Sequence, residues 1–245
     1  MVSVTNGQLT MTWRESAELA VRRLAAITVA GTLLGLLVGG VGGRLTMMLL
    51  AVLNPRAAGV TSDDGFTIGQ FTILGTAQLL GATWQLGLLG AFAYALLRGL
   101  MLGPTWFRVM SMALGSGVVV AAVIVHTGGV DFALLQPVPL TVGFFVAIPV
   151  LYAALLTLVA ERWLAAGGWP ARGHVKWVLV TLLLWLPLLP LLPVLAGVWL
   201  VSEWLRRRPE PPALRPVLSW LARAVLAVVF VLAIADLVSD VQILA

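Results

Sequence analysis

The stretch Gly31-Thr-Leu-Leu-Gly35-Leu-Leu-Val-Gly39-Gly-Val-Gly-Gly43 decides the fold class. Its glycines at 31, 35, 39 and 43 recur at four-residue steps, and residues four apart share a helix face. On a helix they form one bare stripe against which a second backbone can lie, the packing mode favoured in lipid. The stripe falls within Leu24 to Gly43, a run without a single charge. At a rise of about 1.5 Å per residue that run measures about 30 Å, the thickness of a bilayer's hydrocarbon core. The chain therefore opens on a membrane helix built for close packing, a glycine-zipper first helix.

Composition points the same way. Of 245 residues, 60% are hydrophobic and 10% charged, against about 25% charged in soluble domains. A soluble fold of this length cannot hide so much apolar surface, so an all-α, polytopic transmembrane bundle is expected, with the lipid bilayer as its first partner. There is no cysteine, which excludes disulfides, iron–sulfur clusters, thiolate metal sites and thioether-linked haem. His126 and His174 each lie near a segment end, which argues against a haem held between two facing histidines. Lys176 opens a segment and so is not placed as a buried Schiff-base lysine. No cofactor is expected. The net charge of +5 is what a positive-inside membrane protein carries, and no nucleic-acid partner is inferred from it. The Arg-dominated basic set and the abundance of Ala, Gly, Leu and Val fit GC-rich bacterial coding.

Charges and prolines divide the chain into one membrane domain, 1–245. Residues 1–23 read as a cytoplasmic N-terminal segment. The run after Arg22-Arg23 is too long for a signal-peptide core and ends in no A-x-A site, so it reads as an uncleaved first span. Residues 24–160 read as a four-helix core, with spans at 24–43, within 72–97, at about 109–125 and at about 138–160. Helix can continue from Arg44 to Leu53 before Asn54-Pro55 stops it. The second span carries Thr83, Gly87, Ala91 and Ala95 at four-residue steps, and the third carries Ala113, Gly117 and Ala121. Gly31, Gly35, Gly39, Gly43, Gly87 and Ala91 are the expected helix-packing residues, serving one subunit's core or self-association. Residues 161–245 hold a hydrophobic stretch at 177–201, the basic connector Arg206-Arg-Arg-Pro-Glu-Pro-Pro212 and a last span at about 217–236.

Orientation turns on that fifth stretch. If every stretch spans, Arg206, Arg207, Arg208 and Arg215 fall outside with Arg44 and Arg56, a poor positive-inside bias. If 177–201 enters and leaves on one side, only Arg44 and Arg56 remain outside. Pro187, Pro190 and Pro193 can break the segment into such a turn. Trp177 and Trp199, spaced as two interfacial belts would be, support a kinked full span instead. The same-side path is preferred, giving five full spans plus a Pro-broken segment and a cytoplasmic N-terminus.

That path gathers Asp63, Asp64, Asp131, Asp236, Asp240 and His126 on the outside. Asp63, Asp64, His126 and Asp131 are weak candidates for a cation site, since carboxylate oxygens suit hard cations and imidazole adds a nitrogen. Turn and cap roles explain the same residues, and no metal-binding spacing is present. Gln78 and Gln85, seven apart on one face of the second span, are candidates for a polar path or for interhelical bonds. Arg44 and Asp236, both at the outer boundary, are a candidate buried pair. No nucleophile–base motif or phosphate loop appears, so no catalytic residue is assigned.

The run Gly42-Gly-Arg-Leu-Thr-Met-Met, then Thr61-Ser-Asp-Asp-Gly-Phe-Thr-Ile-Gly-Gln-Phe-Thr72, resembles a pattern in uncharacterised multi-pass membrane proteins of actinobacteria. Asp131-Phe-Ala-Leu-Leu-Gln-Pro137 is similar to their later loop. The likeness covers roughly residues 24–160. It implies a bacterial plasma-membrane location and brings no activity with it. The expected function is non-enzymatic packing with a second copy or a membrane partner through small-residue helix faces. The alternatives are a small transporter or channel using the Gln78/Gln85 face and the outer carboxylates, and then a membrane enzyme built on Asp63, Asp64 or His126.

Overall fold

The computed structural model describes residues 3–5, 8–62, 65–128, 130–165, 168, 175–207 and 214–244. Apart from a short antiparallel hairpin of Ser3–Thr5 with Gln8–Thr10, they form helices and connecting loops. Among the described residues, five helices are long and apolar enough to cross a membrane. They lie in α1 (Trp13–Leu53), α2 (Ile73–Leu97, prolonged by a 3-10 turn to Leu100), α3 (Thr105–Ile124), α5 (Val138–Leu164) and α8 (Leu214–Leu244). Between α3 and α5 lies the short α4 (Val130–Leu134). A broken pair follows α5, with α6 (Val175–Leu182) running through a 3-10 segment into α7 (Leu191–Arg207).

Helix α1 starts well before the uncharged run. Thr12 and Glu15 form a reciprocal capping box, Thr12 N–H donating to Glu15 Oε2 at 2.8 Å and Glu15 N–H to Thr12 Oγ1 at 3.3 Å. A Glu18–Arg22 pair one turn apart continues the helix through its charged start. At the far end Asn54 leaves helical geometry and Pro55 follows, as expected of a residue pair that removes a donor and bars continuation. Within α1, Gly35–Gly42 winds as π-helix, the wider i→i+5 form.

Helices α1 and α2 run antiparallel in backbone contact. A Cβ placed on Gly31 would stand 2.7 Å from Gly87 O, and one on Gly35 2.6 Å from Thr83 O. Gly39 and Gly40 meet Thr83 and Leu80. Gly43 departs from the stripe, with no atom within 4 Å of its Cβ position. There the interhelical gap is bridged by Arg44, whose Nη2 donates to Thr76 Oγ1 at 3.0 Å. Helix α5 closes over this pair. Tyr152 donates its hydroxyl to Gly87 O at 2.7 Å, and Ile27, Ala30, Ala91, Tyr94, Leu156 and Ala160 form a buried cluster. Ala113, Gly117 and Ala121 form the buried face of α3, with Gly117 against Val150 of α5.

These contacts define two ends. At the proximal end α1 begins, α2 ends, α3 begins, α5 ends and α8 enters, with Arg223 Nε donating to Leu100 O at 2.9 Å. At the distal end Leu237, Val241 and Leu244 of α8 pack on Val125, Phe132, Val138 and Val142. Asn54 Oδ1 there accepts Gln136 N–H at 2.8 Å.

The Pro-broken segment returns to the end it left. Its two arms meet at a bend of 114°. The turn carries Trp185, which is completely buried and reaches Thr28, about 22 Å along α1 from Trp13 at the usual helical rise. From there α7 runs back to the start of α1. Trp199 packs edge-on against Trp13, Glu203 accepts from Ser16 Oγ at 3.0 Å, and Arg207 donates to Met11 O at 3.0 Å. Trp199 thus sits beside Trp13 at the proximal end, the arrangement that a same-side path requires.

Candidate functional site

A dense polar cluster lies among the described residues of the proximal end. Tyr94 and Arg98 stand one turn apart at the end of α2, Arg108 lies in the first turn of α3, and Glu161 is near the end of α5. Glu161 Oε1 accepts from Tyr94 Oη at 2.8 Å and from Arg98 Nε at 2.9 Å. Its Oε2 accepts from Arg98 Nη2 and Arg108 Nη1, both at 3.4 Å. The carboxylate is mostly buried, with 12% of its side chain exposed. Four donors on one carboxylate tie three helices together.

Beside this cluster opens a cleft of about 570 Å³ lined by Arg98, Thr105, Leu158, Val159, Glu161, Arg162 and Ala165. Arg98 and Arg162 also complement the C-terminal ends of α2 and α5, where unpaired carbonyls favour cations. The guanidinium of Arg162 is exposed and has no partner among the described residues. Three arginines around a single carboxylate give the cleft a net positive charge. Pro104 precedes α3 without a side-chain cap, so the first amides of α3 also face this end.

The sequence-predicted residues fall elsewhere. Asp63 and Asp64 lie outside the described residues. His126 is exposed just after α3, and Asp131 is buried in the first turn of α4. Among the described residues no group of His, Cys, Asp or Glu has the makings of a metal site. Gln78 and Gln85 do share a face of α2, but both are exposed on the outside of the bundle. Within one chain they therefore line no interior path. Arg44 and Asp236 do not pair. Arg44 is held by Thr76 and lies 5.6 Å from the Phe71 ring, whereas Asp236 borders a shallow groove between α3 and α8 lined by Val119, Ala122 and Val123.

The Glu161 cluster was not anticipated from sequence. Its only sequence signal is a lone acid at the end of one span with arginines at the ends of two others. The chain matches no known protein family, no curated protein and no solved structure.

Proposed function

We propose that the protein is a non-enzymatic bundle of the bacterial plasma membrane, with its proximal end cytoplasmic, that associates with a second copy through the outward face of α2. The observation carrying this reading is the position of Gln85. It stands at the midpoint of Ile73–Leu97, is exposed, and has no hydrogen-bond partner among the described residues. Gln78 is placed in the same way two turns away.

An amide facing hydrocarbon without a partner costs several kcal/mol. A primary amide both donates and accepts, so it is complementary to its own image across a two-fold axis along the membrane normal. Ala82 is exposed one turn from Gln85 and Ala77 is exposed next to Gln78, and nothing lies within 4 Å of a Cβ on Gly81. Small residues around a polar one are what lets two helices approach in lipid. The stripe on α1 is already covered by α2, so association through it would require the bundle to come apart.

Orientation follows from the arginines. Arg14, Arg22, Arg23, Arg98, Arg108, Arg162, Arg207 and Arg223 belong to the proximal end or near it, against Arg44 and Arg56 at the distal end. The positive-inside bias then favours a cytoplasmic proximal end.

The test is energy transfer between donor- and acceptor-labelled copies in liposomes, followed as lipid is added. Wild type should associate, and Gln85→Leu with Gln78→Leu should reduce transfer to the random-collision level. Undiminished transfer in the double variant, or a monomeric wild type at every dilution, would defeat the reading.

A further inference from the structure

We propose that the proximal cleft between α2, α3 and α5 is a phosphate-binding site, filled by the headgroup of an anionic phospholipid or by a soluble phosphate compound. Arg98 is pre-oriented there. Its Nε and Nη2 are fixed on Glu161, while Nη1 has no partner among the described residues. Arg162 brings a second guanidinium with all its donors unused, and Thr105 adds a hydroxyl with no partner among the described residues. The uncapped start of α3 is a fourth contribution, because free amides at a helix N-terminus favour an oxyanion. Guanidinium planes match phosphate oxygens in pairs, and an arginine already held in place loses little freedom on binding. Glu161 opposes an anion, but its charge is shared among Tyr94, Arg98 and Arg108.

The walls suit a lipid. Leu158 and Val159 line the same cleft, and Leu158 is 48% exposed on the bundle's outer face. Trp106 and Phe107 flank the cleft at the start of α3 and are 63% and 45% exposed, as aromatic side chains are at a headgroup layer. A phosphate on Arg98 and Arg162 would leave an acyl chain running along Leu158. The lipid source rests on the bilayer reading above, and neither source depends on the association of two copies.

The experiment uses the full-length protein in detergent. Binding is read by native mass spectrometry and by thermal protection on adding phosphatidylglycerol, phosphatidylcholine or inorganic phosphate. Wild type should hold phosphatidylglycerol in preference to phosphatidylcholine, and Arg162→Gln with Thr105→Val should weaken it at least about tenfold, the effect of losing charge-assisted hydrogen bonds. Equal competition by inorganic phosphate would assign the site to soluble phosphates. Arg22→Gln removes the same charge from the proximal end, outside the cleft. If it weakens binding as much as the cleft variant, or if the cleft variant binds as wild type does, the proposal is overturned. Failure here with energy transfer intact would leave the association reading standing.

Discussion

Trp185 donates its indole N–H to the hydroxyl of Thr28 across 2.8 Å, and both side chains are completely buried. Thr28 Oγ1 in turn donates to Leu24 O at 2.8 Å, one turn back in α1. The hydroxyl thus donates within its helix and offers a lone pair to the tip of the Pro-broken hairpin. Pro187, Pro190 and Pro193 deprive that hairpin of regular backbone bonds, so its seat on α1 depends on contacts like this one. Thr28→Val keeps the volume but strands a buried N–H, and should cost about 1–3 kcal/mol. Trp185→Phe should cost a similar amount, with a further penalty for lost volume. In a double-mutant cycle read by thermal unfolding in detergent, the pair should fall short of additivity by about 1 kcal/mol. Strict additivity would mean that the bond contributes nothing.

The glycines of α1 should differ sharply in tolerance. Gly35→Ala places a methyl 2.6 Å from Thr83 O and 2.7 Å from Gly87 Cα, where only backbone can yield. It should lower stability by about 1–3 kcal/mol, and Gly35→Leu by more. Gly43→Ala meets nothing within 4 Å and gains helix propensity, so it should be neutral or mildly stabilising. Equal effects at the two positions would show that the α1–α2 contact is not as close as described.

Glu161→Gln should loosen the proximal end. It removes the charge that holds Arg98 and Arg108 together, leaving two guanidiniums to repel each other across partly buried space. The expected cost is about 1–3 kcal/mol, less than a fully buried pair would show because both arginines are about a third exposed. Tyr94→Phe loses one hydrogen bond and should cost about 1 kcal/mol. Chemical denaturation at low and high salt checks both, with salt narrowing the gap between wild type and Glu161→Gln but leaving Tyr94→Phe in place.

What could be read in the sequence, and what could not, follows the range of the interactions. Thr83, Gly87 and Ala91 announce a close-packing face because a missing Cβ is local information, and they lie against Gly31 and Gly35. The early start of α1 is readable too, since Thr12-x-x-Glu15 has capping-box spacing. Periodicity put Gln78 and Gln85 on one face of α2 without saying whether that face looks in or out. The π-turn left no mark, because glycines at four-residue steps do not specify which carbonyl each amide will choose. The Glu161 cluster joins residues up to 67 positions apart, and only the packing of three helices brings them together.

The path of the Pro-broken segment offers the sharpest test of the whole arrangement. Ser16 bonds Glu203 and Met11 bonds Arg207, which fixes the end of α7 beside the start of α1. The chain has no cysteine, so single cysteines report position without interference. Gly99 and Ser202 are exposed at the proximal end, and Gly128 is exposed at the distal end. In intact cells an impermeant thiol reagent should label Gly128→Cys and spare Gly99→Cys and Ser202→Cys. After permeabilisation all of them should react. Labelling of both proximal positions with Gly128→Cys spared would invert the protein without changing its path. Labelling of Ser202→Cys while Gly99→Cys is spared cannot be reconciled with the contacts to Ser16 and Met11. It would require the segment to cross, carrying the start of α8 and Arg223 to the opposite side.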